Sequence, residues 1–135
     1  MFTACSKNDI EQVKMYLAQG ESANKLNEQP FFEQGWTPIR YASLAGNKND
    51  SEERISAIIE KAKKIISLLI ENGGDINHRD ADGATTLMSV APFKRRIPLV
   101  QFMIENGADK TLKDQLGKTA HEYATTEEMS KILKY

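Results

Sequence analysis

The 135-residue chain has a single cysteine, Cys5, so it cannot form an intrachain disulfide. A chain of this length buries roughly two thirds of its unfolded surface and needs no such staple. No apolar run approaches the ~18 residues of a membrane span, and the opening MFTACSKND lacks the charged-then-apolar layout of a leader peptide. Charge of one sign is lacking too. Eighteen basic and 19 acidic side chains leave a net charge of −1, which provides no global field for nucleic acid or an anionic membrane. Aromatics are sparse at 7%, and there are only two histidines. What remains, 40% hydrophobic and 27% charged, is the balance of one ordinary globular domain.

What the sequence does have is a repeat. LLIENGGDINHRDADGATTL (68–87) aligns with FMIENGADKTLKDQLGKTAH (102–121). Gly73 and Gly107, Gly83 and Gly117, and Thr85 and Thr119 are each 34 residues apart. A fixed period of this size marks stacked helix pairs. With insertions allowed, GWTPIRYAS (35–43) joins GATTLMSVA (83–91) and GKTAHEYAT (117–125), and DIEQVKMYLAQG (9–20) joins the helix-then-glycine segments. Ile10, Val13, Tyr16 and Leu17 form a helical stripe, as do Leu99, Val100, Phe102, Met103 and Ile104. Each stripe ends at a glycine suited to a left-handed C-cap. Thr37-Pro38 places a hydroxyl cap before a first-turn proline.

GWTPIRYAS, KIISLLIENGGDIN and LVQFMIENGADKT resemble the ankyrin repeat, whose pattern joins a G-x-T-P-L-H-x-A-A helix to an I/V-V-x-x-L-L helix and a G-A-D-V-N finger. The resemblance covers nearly the whole chain. It implies an all-α solenoid of helix-turn-helix pairs with hairpin-like fingers, a single domain over residues 1–135. The expected repeats are about 1–26 as an N-terminal cap, 35–80 with an insertion, 82–114, and 116–135 as a C-terminal cap.

The chain departs from its own pattern in two places. Ala42 to Gly73 spans 31 residues against 17 for Val90 to Gly107. The surplus reads as one long helix from about Ser51 to Asn72, opened by an Asp50–Glu53 capping box and supported by a Glu60–Lys64 pair. Its extra part is expected to project on the order of 15 Å. Gly20 to Thr37 spans 17 residues against 12 in the later repeats, and the five extra fall in NEQPFFEQGW (27–36). MFTACSKND begins partway through a first helix, and Thr125–Glu128 reads as the capping box of a terminal helix.

Chemistry of other kinds finds little support. With Gly83 as the invariant glycine of a calcium loop, positions one and twelve are His78 and Ser89, neither of them the required ligand. One cysteine and two distant histidines lack zinc spacing, and Gly73-Gly74 is no phosphate loop. Cys5 occupies a small buried position of the repeat. His121 and Glu122 fall on a terminal inner helix away from His78, so no acid–base pair is visible. KRRI (94–97) reads as a solvated turn. The expectation is therefore no enzyme, with no catalytic residue, metal or cofactor.

The resemblance instead implies binding of a protein partner by a concave face of finger tips and inner helices. By position the exposed candidates are Trp36, Arg40 and Leu44, then His78, Arg79, Ala84, Met88 and Phe93. Phe31 and Phe32 either fold back or extend that surface. Ile55, Ile58 and Ile59 are either covered within the chain, for instance by Phe93 and Ile97, or form a partner site. A cytoplasmic monomer binding neither nucleic acid nor membrane is expected. A periplasmic or secreted location holds if a leader was removed. The roles considered are inhibitor or immunity partner of a bacterial toxin, secreted host-interacting effector, regulatory fragment of a larger enzyme, and self-assembly by dimerisation through helix 51–72.

Overall fold

The computed structural model describes residues 1–28 and 33–135, and these divide into two compact units, Met1–Asp75 and Ile76–Tyr135. Among the described residues the secondary structure is helical, with no strand.

The first unit holds α1 (Phe2–Ser6), α2 (Ile10–Ala18), α3 (Pro38–Ser43) and α4 (Glu52–Glu71). α2 starts where Asp9 accepts the Gln12 N–H at 3.1 Å, buries Val13, and closes before Gly20 at φ +90°. α3 starts at Thr37, whose hydroxyl accepts from the Arg40 N–H at 3.4 Å, with Pro38 in its first turn. All six of its residues are buried. A helix this short is not stable alone, and burial on every side replaces length. α4 buries Ile55, Ile59, Ala62, Ile65, Ile66 and Leu69 along one stripe. Full burial of each large aliphatic stabilises by about 1.5–3 kcal/mol.

The long helix lies where its period places it, between the caps Ser51 and Asn72. Three details differ from expectation. The N-cap is Ser51, which accepts from the Arg54 N–H at 3.2 Å. Asp50 is drawn off instead to the Asn47 N–H at 2.7 Å and to Arg54 Nε at 2.9 Å. Glu60 pairs with Lys63 at 2.9 Å, one residue nearer than Lys64. The first turns of α4 also do not stand free. Asn8 Nδ2 donates to Ile58 O at 3.0 Å, and a Cβ at Gly46 would touch the Cδ1 atoms of Ile58 at 3.0 Å and Ile55 at 3.3 Å.

The second unit holds α5 (Thr86–Val90), a 3-10 turn (Lys94–Arg96), α6 (Ile97–Glu105), a second 3-10 turn (Ala120–Tyr123) and α7 (Glu127–Leu133). Thr85 caps α5 by accepting the Met88 N–H at 3.3 Å. The terminal inner segment, expected as a helix, is only a 3-10 turn. Glu122 reaches back to the Thr119 N–H at 2.8 Å, and Ala124 is already extended. α7 is capped by Thr126 rather than Thr125, whose hydroxyl donates to Pro92 O at 2.8 Å.

One closing bond recurs in every finger. Asp80 N–H donates to Ala84 O and Asp114 N–H to Lys118 O, both at 3.0 Å. Asn27 N–H donates to Trp36 O at the same distance, so the five extra residues lie within the equivalent bracket. The Asp80 and Asp114 carboxylates each accept two backbone N–H groups of their own turn at 2.9–3.0 Å. The acidic stretch that resembled part of a metal loop is engaged in its turn.

Candidate functional site

In the first unit a cavity of about 890 Å³ opens between α1, α3 and the first finger. Phe2, Leu26, Asn27, Trp36, Tyr41 and Leu44 line it. Tyr41 is its centre. Its ring lies 5.0 Å from Phe2 and 5.4 Å from Trp36, centroid to centroid. Its hydroxyl donates to Glu33 Oε2 at 2.6 Å and accepts from Asn27 Nδ2 at 2.6 Å. Burial, and then the Glu33 carboxylate, push the phenol up to about 12. The ring therefore stays neutral at physiological pH, with its polar tip satisfied and its body against other rings. Leu26 remains 41% exposed at the rim.

In the second unit a cavity of about 430 Å³ is lined by Asp82, Ala84, Met88, Ser89, Leu116 and Tyr123. Leu116, on the finger turn, is 74% exposed. Tyr123 occupies the place in its repeat that Tyr41 has in the earlier one, and donates a hydrogen bond to Asp114 Oδ2. That bond lowers the Asp114 carboxyl and raises the Tyr123 phenol to about 12.

The sequence candidates separate. Trp36, Leu44 and Ala84 are half-buried and line the two cavities, and Phe93 is exposed. Arg40 and Met88, expected at the surface, are 3% and 4% exposed. The Arg40 guanidinium carbon lies 5.4 Å from the centroid of Trp36, a cation–π contact. Met88 Sδ accepts the Thr85 N–H at 3.5 Å. Arg79 is exposed but occupied, bonding the Lys113 carbonyl and, at 3.5 Å, the Gly83 carbonyl. His78 is half-buried. Ile55 and Ile59 are buried and Ile58 half-buried, so the stripe is covered rather than open. The cover visible is the Gly46 turn, whereas Phe93 is itself 50% exposed. Phe31 and Phe32 lie outside the described residues.

Sequence reasoning missed Phe2, Tyr41, Leu26, Leu116 and Tyr123. The two tyrosines carried a signal, since each stands four residues after the capping threonine of its repeat. It also missed a hydrogen bond between Ser130 Oγ and His121 Nε2 at 2.9 Å. This bond ties the second 3-10 turn to α7. Cys5 is fully buried, and burial raises its thiol to about 12, far from a nucleophile's range. Among the described residues no three His, Cys, Asp or Glu side chains are placed to hold a metal, and no helix is long and apolar enough to cross a membrane.

This combination of helix pairs and bracketed fingers, with cavities along the fingers' inner side, defines a class, and comparison with known proteins gives the same one. A family profile described as ankyrin repeats (3 copies) matches residues 1–114 and 54–135. An ankyrin repeat-containing protein of Schizosaccharomyces pombe is 28% identical over 120 residues, 89% of this chain and 47% of its own. The crystal structure of the ankyrin repeat domain of Bcl-3, described as a unique member of the IkappaB protein family, superposes with a TM-score of 0.72 at 21% identity. That match covers 98% of this chain and 49% of the Bcl-3 chain. The chain belongs to the ankyrin repeat family. It spans about half the length of each of these two relatives. Ankyrin repeats generally mediate protein–protein interaction and are typically non-enzymatic.

Proposed function

We propose that this chain is a non-enzymatic module that binds a protein partner through the inner side of its fingers, with the aromatic cavity of the first unit as anchor. The observation that carries this is the Phe2–Tyr41–Trp36 cluster beneath a rim left open at Leu26. Aromatic and arginine side chains in desolvated pockets dominate binding energy at protein interfaces. Affinity capture from the native host identifies the partner, and calorimetric titration then tests the site. Trp36→Ala weakens binding by about 2 kcal/mol, roughly 30-fold, as a hot-spot truncation does. Leu26→Asp, a change at an exposed rim position, weakens it with an unaltered melting temperature. Unchanged affinity in both variants sinks the assignment.

A second reading is that this is the regulatory or targeting part of a longer protein, supported by the fraction of each relative it spans. An open reading frame encoding a catalytic domain beside it decides for that reading. A narrower proposal is that the partner is an enzyme blocked by occlusion, such as a bacterial toxin. Its support is the chain's Lys, Asn and Ile usage. Genes adjoining this one test it. The proposed compartment is the cytoplasm, supported by a single buried thiol, and cell fractionation checks it.

A further inference from the structure

The insertion does more than lengthen α4. Its residues Asn47, Asp50, Arg54, Ile58 and Lys61 wall one side of a cavity of about 440 Å³. Lys7 and Asn8, in the turn between α1 and α2, wall the other. This cavity belongs to the departure from the repeat pattern, and it shares only Ser6 with the aromatic cavity.

Its charges are unbalanced. Asp50 is the one anion among the described lining residues, and it is already engaged by Arg54 Nε and the Asn47 N–H, with its side chain 5% exposed. Lys7 and Lys61 are exposed and have no carboxylate partner among the described residues. The Asn8 amide is buried within its wall. Asn8 is only 9% exposed, and its Nδ2 is held by Ile58 O, which fixes the orientation of the amide. Asn8 Oδ1 is itself buried and has no hydrogen-bond partner among the described residues. Buried polar atoms are rarely left so, and each exception calls for a physical cause. Ala57 and the half-buried Ile58 add an apolar stretch to the wall.

We propose that this cavity accepts an acidic segment of a partner protein. Carboxylates settle between Lys7 and Lys61, and aliphatic carbons cover Ala57 and Ile58. An inorganic anion supplies the first of these and leaves the apolar wall uncovered. The volume lies in the range of sites that enclose a small organic molecule or a short stretch of chain. The class of the occupant rests on the protein-binding reading above, but the site is separate from the aromatic cavity.

Fluorescence anisotropy tests this with the full chain and a labelled octapeptide of alternating Glu and Ala at low salt. The peptide binds, and Lys7→Glu with Lys61→Glu weakens it at least tenfold. Lys64→Glu with Lys113→Glu, which changes net charge equally, weakens it less than threefold. Lys7→Gln with Lys61→Gln gives an intermediate loss, and circular dichroism verifies that each variant is folded. Leu26→Asp leaves peptide affinity unchanged, so failure here and failure of the aromatic-cavity reading are told apart. No peptide binding overturns the proposal, as do equal losses in the two charge-reversed pairs. Inorganic phosphate or an oligothymidylate binding as tightly as the peptide also overturns it.

Discussion

Asn77 holds Gly107 from the preceding finger. Its Nδ2 donates to Gly107 O at 2.8 Å, and its Oδ1 accepts the Asp109 N–H at 2.7 Å. Asn24 makes the same pair of bonds to Gly73 O and the Asp75 N–H, both at 2.7 Å. In the last finger the equivalent position is Thr111, which among the described residues bonds only within its own loop, to Asp109. Two net hydrogen bonds contribute about 1–3 kcal/mol. Asn24→Ala and Asn77→Ala are each expected to lose that much in denaturant unfolding, and Thr111→Ala less than half as much. Equal losses at all three positions contradict the bracket.

Gly46 and Gly20 both hold φ near +90°, yet only one is crowded. A Cβ at Gly20 meets nothing within 4 Å, whereas at Gly46 it meets Asp50 Oδ2 at 2.9 Å and Ile58 Cδ1 at 3.0 Å. Both alanine variants bear the cost of a left-handed backbone. Gly46→Ala is expected to lose about 1 kcal/mol more, from overpacking. Thermal melts of the two side by side decide it.

Cys5, Tyr41 and Tyr123 all titrate near 12 in the folded chain, above ordinary values of 9.0 for the thiol and 10.0 for the phenols. The unfolded chain therefore releases these protons first. The stability they contribute is whole below about pH 9 and declines as pH rises toward 12. Melting temperature is expected to fall steadily across that window, and Cys5→Ala to flatten its lower part. A thiol reagent at pH 8 is expected to label Cys5 only at the rate of unfolding. Immediate labelling of the native protein refutes the burial argument.

Asp114 gives the opposite dependence. The Tyr123 hydroxyl holds its carboxyl below the usual range, as Thr111 does for Asp109. That contribution is present above the unfolded value of 3.8 and is lost as pH falls through the lower folded value. Tyr123→Phe is expected to shift the acid unfolding midpoint upward, and Asp114→Asn to remove the effect of Tyr123→Phe. Titration by circular dichroism between pH 5 and 2 reads both.

The parts of this fold that were legible in sequence are those set by neighbours along the chain. α4 was readable nearly to its last residue because its apolar stripe and its terminal glycine lie within one stretch. The Gly–Thr turns were readable from their spacing. Errors arose where two local solutions competed. Asp50 and Ser51 can both cap α4, and Ser51 does so because the carboxylate is taken by Asn47 and Arg54. The candidate site was harder to read, because side-chain exposure depends on what tertiary packing brings near. Arg40 has the character of a surface residue, yet it lies against Trp36 and is buried. Phe2 and Tyr41 are 39 residues apart in sequence, and nothing in either segment announces that they meet.

The bond from Asn27 N–H to Trp36 O has the same form as those that close the two shorter fingers. The scaffold registers the two ends of that segment, not how much chain lies between them. Nine positions separate the ends here and four in each of the others. Length is thus uncoupled from the packing beneath, because loop closure becomes only slowly more costly as a loop grows. The first finger behaves as an extensible cassette. A grafted recognition sequence can lengthen it, provided that Glu33 and Trp36 keep their contacts with Tyr41.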